Sequence, residues 1–86
     1  MNARNMAARI ALVAEALDSI GVEPLHINVH DSGEVSVLVR PEDYARTTDR
    51  LGLSPSHHVA NDLALGRWAD IAVWLQAYRE PVEAAS

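Results

Sequence analysis

Between residues 20 and 25 the spacing of apolar side chains changes period, and that change limits what the chain can build. Upstream, Met6, Ile10, Val13, Leu17 and Ile20 recur every three or four residues with Ala7 and Ala14 beside them, one stripe of an amphipathic helix. Gly21 follows as a residue able to take positive φ, and Val22 can fold back on Leu17 in a Schellman ending. Pro24 forbids further helix, and from Leu25 the period is two: Leu25, Ile27 and Val29 oppose His26, Asn28 and His30. After Asp31-Ser32-Gly33, Val35, Val37 and Val39 alternate with Glu34, Ser36, Leu38 and Arg40. A helix followed by a β-hairpin is the only arrangement that satisfies both periods.

The register of that hairpin follows from its faces. A two-residue Ser32-Gly33 turn would set His30 opposite Val35, pairing a polar row with a valine row. A three-residue loop, Asp31-Ser32-Gly33, sets His30 opposite Glu34 and Val29 opposite Val35, so that all six apolar residues share one face. The longer loop is therefore expected, with Gly33 at its left-handed position.

The second strand runs into "RPEDYARTTDRLGL". Pro41 suits a first helical turn, Glu42 and Asp43 complement the positive helix end, and Tyr44, Thr48 and Leu51 form a thin buried stripe. "DSIGVEPLH" at 18–26 and "DRLGLSPSH" at 49–57 then share the pattern D-x-[IL]-G-[VL]-x-P-x-H at an offset of 31. The pattern suggests two copies of helix, glycine stop, proline and strand; common helix-to-strand exits would produce much of it without duplication.

Residues 62–79 read two ways. Ile71, Val73 and Leu75 alternate with Asp70, Ala72, Trp74 and Gln76 as in a half-buried strand, whereas Leu65, Trp68, Ile71, Ala72, Leu75 and Tyr78 would also share one side of a helix. Gly66, the alternation and the repeated pattern favour a strand over 67–76, with "SHHVA" at 56–60 as its partner. The expected fold is α+β, α-β-β-α-β-β: a four-stranded, mainly antiparallel sheet with two helices on the face carrying Leu25, Ile27, Val29, Val35, Val37 and Val39. The alternative is α-β-β-α with a short strand and a C-terminal helix. Either way residues 1–79 form a single domain and 80–86 a flexible tail.

Composition excludes several functions. The 86 residues contain no cysteine, so disulfides and thiolate metal sites are ruled out and a reducing cytoplasm is expected. Within the N-terminal stretch 1–21 the longest apolar run after Arg9 is Ile10 to Ala14, too short for a signal peptide, and nothing in the chain approaches the ~18 residues of a membrane span. Every basic residue is an arginine and alanine is abundant, the bias of a GC-rich bacterial genome. A net charge of −5 with dispersed arginines argues against nucleic acid as a partner, because phosphate attraction supplies most non-specific affinity. Protonating all four histidines takes that charge from −5 to −1, so self-association or loss of solubility should grow as the pH falls.

His26 and His30 have the spacing of a metal motif, but on a strand they lie roughly 13 Å apart and cannot share an ion. His57 and His58 are adjacent and point to opposite faces. A metal or enzymatic site would need a cross-strand cluster such as His26 with His57. The serines lack a nucleophile elbow and there is no glycine-rich phosphate loop; His30 and Glu34 form the kind of cross-strand pair that stabilises hairpins. No catalytic residue, cofactor, metal ligand or small-molecule ligand is therefore assigned, and enzymatic activity is not expected. The element order is similar to the start of the LAGLIDADG homing-endonuclease fold, and helix 1 ends "ALDSIG". That family's motif has an acidic residue before its final glycine where this chain has Ile20, so the likeness is one of topology.

If 67–76 is one strand with Ile71, Val73 and Leu75 facing the core, Trp68 and Trp74 share the opposite, helix-free face. Exposed tryptophans on such a face anchor protein contacts. The expected function is a small interaction module, self-associating as a homodimer or docking a protein partner through His26, Asn28, His30, Glu34, Ser36, Arg40, Trp68 and Trp74. The alternatives are a nucleic-acid-associated accessory protein, if the arginines cluster in space, and a small metal protein or enzyme built on a histidine cluster.

Overall fold

The computed structural model describes residues 2–57 and 61–78. Helix α1 spans Ala3–Asp18, the hairpin is β1 (His26–Val29) and β2 (Val35–Val39), and a 3-10 turn at Pro41–Asp43 leads into α2 (Tyr44–Leu51). Three strands follow: β3 (Ser54–His57), β4 (Asn61–Trp68) and β5 (Ile71–Tyr78).

The fold is α+β with both helices on one face, but the sheet has five strands in the order β1-β2-β5-β4-β3 and is mixed. The expected four-stranded, mainly antiparallel sheet is corrected in two respects. The segment expected as one strand over 67–76 is two, broken by a turn at Ala69-Asp70, and β5 inserts beside β2 in parallel while pairing antiparallel with β4. The alternative with a closing helix fails with it. Of the expected partner strand at 56–60, residues 58–60 lie outside the described residues, as does the tail from 79 on; the strand there is Ser54–His57.

The first half folds as its pattern requires. Asn2 caps α1 by accepting from the Asn5 N–H at 2.9 Å. Val13, Ala16 and Leu17 are its buried residues, with Ile20 packed against the same core. Val29 pairs with Val35, the His30 N–H donates to the Glu34 carbonyl, and Gly33 has φ of 93°. That is the three-residue loop, and it places Ile27, Val29 and the three valines of β2 on the helix-covered face. Leu25 follows the same alternation but is 52% exposed, lying just before the edge strand β1. Arg9, on α1, ties the loop down by donating to the Gly33 carbonyl at 3.1 Å.

Both helices stop in the same way. The Val22 N–H donates to the Leu17 carbonyl and the Leu53 N–H to the Thr48 carbonyl, both at 3.0 Å, while Gly21 and Gly52 sit at φ of 71° and 66°. These are two Schellman motifs. The likeness then fades, since β1 begins five residues after Gly21 and β3 two after Gly52, with Pro55 inside this edge strand. With β2 parallel and β4 antiparallel to β5, the halves α1-β1-β2 and α2-β3-β4 lie on either side of the central strand in opposite senses.

The core forms where the helices meet the sheet: Val35, Val37, Val39, Val73, Leu75, Ala77 and Ala64 are buried under Val13, Leu17, Val22, Tyr44, Leu51 and Leu53. Thr47 and Thr48 are buried too, their hydroxyls donating to the Asp43 and Tyr44 carbonyls a turn earlier. Gly66 lies close beneath Leu53: a Cβ on it would lie 2.9 Å from Leu53 Cδ2 and 3.3 Å from Leu53 Cα. The Tyr44 hydroxyl reaches across to donate to the Leu63 carbonyl. Burial, with Asp62 nearby, raises the Tyr44 phenol above its ordinary value, against a smaller lowering by the Ser56 backbone.

Candidate functional site

The face of the sheet away from the helices is organised in rows that run across all five strands. One row is Asn28, Ser36, Trp74, Leu65 and Ser54; the next is His26, Leu38, Gln76, Leu63 and Ser56. Neighbours within a row are ~5 Å apart. Trp74 is thus flanked by Ser36 on β2 and Leu65 on β4, with Leu38 and Leu63 in the adjacent row.

Among the described residues the exposed large apolar side chains are Leu12, Leu25, Leu65 and Trp74. Leu12 and Leu25 stand apart from each other, on α1 and before β1, whereas Trp74 (47% exposed) and Leu65 (41%) are direct cross-strand neighbours. Neither row contains a carboxylate, although the chain carries 12. Beside Trp74 lies a hollow of about 190 Å³ lined by His26, Ser36, Val37, Leu38, Trp74 and Gln76.

Of the residues expected on this surface, His26, Asn28, Ser36 and Trp74 belong to the rows. His30 and Glu34 stand at the loop end of the hairpin, where His30 Nε2 hydrogen-bonds to Ser36 Oγ at 2.6 Å. Arg40 follows β2 and donates to the Glu23 carbonyl at 3.2 Å. Trp68 is elsewhere. It pairs with Ile71 across the turn and is packed against the helix-side core, with the Arg50 guanidinium 4.6 Å from its ring centroid. The Ala69-Asp70 turn is the reason: as two residues outside the ladder they put Trp68 in phase with Ile71, so the two tryptophans occupy opposite faces.

Leu38, Leu63, Leu65 and Gln76 are members that the sequence reading left out of the site. Leu38 was visible as the one apolar residue in the polar row of β2. Leu63 and Leu65 gave no such signal, because their strand was not assigned.

No family model matches the chain. Comparison with curated proteins and with solved structures likewise finds no match, so the site stands on its own geometry.

The histidine cluster does not assemble in the manner proposed for it. His26 and His57 lie on the two edge strands, β1 and β3, four strand spacings or ~19 Å apart. His58 lies outside the described residues. Among the described residues no three His, Cys, Asp or Glu side chains are grouped to hold a metal, and no helix is long and apolar enough to cross a membrane. Among the described residues Arg9 holds the β1–β2 loop, Arg46 pairs with Asp43, Arg50 covers Trp68, and Arg67 donates to the Asp70 carbonyl; Arg9 and Arg67 line one hollow together with Glu34 and Asp70.

Proposed function

We propose that the protein is a small self-associating interaction module, in which two copies stack their helix-free sheet faces to form a homodimer centred on Trp74. The observation that carries this reading is the adjacency of Trp74 and Leu65, the two exposed large apolar residues that are neighbours, within two rows that contain no carboxylate. Large aromatics surrounded by small polar groups are the composition of an interface centre and its rim. A chain of net charge −5 repels its own copies, and the two rows around Trp74, which carry no carboxylate, are where that repulsion is least.

The area is adequate. Five strands at ~4.8 Å spacing and three residue rows, the third being the loop-end row in which Glu34 is accompanied by Arg67, give roughly 500 Å² of projected face per copy. A pair would cover about 1,000 Å², the threshold at which a specific interface separates from a lattice contact. The dimer is therefore of modest affinity. The absence of cysteine suits a cytoplasmic setting.

Sedimentation equilibrium of wild type against Leu65→Glu tests the reading. The expected result is a wild-type dimer and a Leu65→Glu monomer with an unchanged far-UV spectrum. A wild type that stays monomeric at millimolar concentration would falsify it.

A further inference from the structure

Ser36 is the small residue of its strand on the open face, and its row neighbours are Asn28 and Trp74. The hollow of about 190 Å³ opens over it, walled by Trp74 on one side and by His26, Leu38 and Gln76 on the others. That volume is about six times the ~30 Å³ share of one liquid water, room for one aromatic ring system and too little for a chain segment.

We infer that this hollow receives the Trp74 indole of a second copy, so that two copies interlock reciprocally about a two-fold axis. The inference rests on the self-association proposed above and specifies its contact. Indole and hollow adjoin on the same face, Trp74 forming one wall of the hollow. A two-fold axis passing between them therefore sets each indole over the partner's hollow, the self-complementary geometry that an isologous interface requires. The chemistry of the lining agrees. Leu38 and the Trp74 ring offer apolar walls, while His26 and Gln76 supply acceptors within the same cavity for an indole N–H, which needs a partner once buried. No carboxylate lines the hollow, so closing it brings no pair of like negative charges together.

Interlocking and simple apolar adhesion predict opposite signs for one substitution. Ser36→Leu adds apolar surface, which strengthens adhesion, but fills the hollow, which blocks interlocking. Dimer dissociation constants measured by sedimentation equilibrium for wild type, Ser36→Leu and Trp74→Ala decide between them. Interlocking predicts that both variants dimerise roughly tenfold or more weakly than wild type, with melting curves that remain cooperative. A Ser36→Leu dimer as tight as wild type or tighter overturns the interlock while leaving the face-to-face reading standing. A Trp74→Ala dimer as tight as wild type also overturns it, because the hollow then holds another group. A monomeric wild type overturns the face-to-face reading and the interlock together. Should Ser36→Leu not fold, Ser36→Val, a substitution suited to a strand, carries the same test with the same sign and an effect of about threefold.

Discussion

The turn that separates the tryptophans offers a quantitative test of the fold. Ala69 and Asp70 connect β4 to β5 with φ of 50° and 66°, both left-handed, as a type I′ hairpin turn requires. Neither is glycine or asparagine. A non-glycine residue in this region costs roughly 1–2 kcal/mol, less for Asp or Asn, whose side chains bond locally. Replacing Ala69 by Asn should recover about 0.5–1 kcal/mol. Replacing Asp70 by Gly relieves a similar strain but returns ~0.5 kcal/mol or more as chain entropy of the unfolded state. The one hydrogen bond seen at Asp70 is accepted by its backbone carbonyl from Arg67, so the substitution leaves it in place. The net expectation for Ala69→Asn with Asp70→Gly is about 1 kcal/mol of added stability. For a domain of this size that is roughly 4–8 °C in Tm. Thermal unfolding followed by circular dichroism measures it at a protein concentration low enough to keep both proteins monomeric. A Tm that is unchanged or lowered would mean that residues 69 and 70 do not form this turn, and the opposite facing of Trp68 and Trp74 would lose its basis.

Other consequences are open to measurement. Gly66→Ala drives a Cβ against Leu53, whose backbone Cα is also close, so it should cost about 1–3 kcal/mol in urea titrations; a neutral effect would show that Leu53 is not held there. Because the Tyr44 phenol is raised by burial and by Asp62, the fold favours its neutral form. That contribution is complete below the unfolded value of ~10 and is lost as the pH rises through the higher folded value. Tyr44→Phe should therefore flatten the alkaline limb of the stability curve, at about 1 kcal/mol of lost hydrogen bonding at neutral pH. Reducing the net charge from −5 to −1 by protonating the four histidines lowers the repulsion between copies, so self-association measured by sedimentation should grow as the pH falls from 7 towards 5; a protein that stays monomeric and soluble across that range would count against it.

How much of this was legible depends on how far apart in sequence the contacts lie. α1, both glycine stops and the β1–β2 register rest on neighbours a few residues apart, and local patterning determined them. The hairpin loop length followed from the single condition that six apolar residues share a face. The last third depends on contacts that no local rule supplies. The turn at Ala69-Asp70 lacks the residues that ordinarily mark one, so β4 and β5 looked like one strand and Trp68 was placed with the wrong phase. The small residues of β4, Ala64 and Gly66, weaken its alternation because they sit beneath packed partners such as Leu53. Half of the candidate surface, the β2 row with Trp74, was visible from the alternation of polar residues. The other half, Leu63 and Leu65, became visible only once β4 was placed.

The position of β5 has a consequence for how the molecule comes into being. It is the last strand of the five to be synthesised, yet it lies in the middle of the sheet. Until residues 71–78 join, β2 and β4 each present an unpaired inner edge, and the two αββ halves have no strand between them. The chain must hold two incomplete half-sheets apart, without pairing them to each other or to neighbouring molecules, until the final segment closes the gap. Folding to the native state is thus coupled to completion of the chain through residue 78. A ribosome-bound intermediate ending before β5 should be a ready client for chaperones.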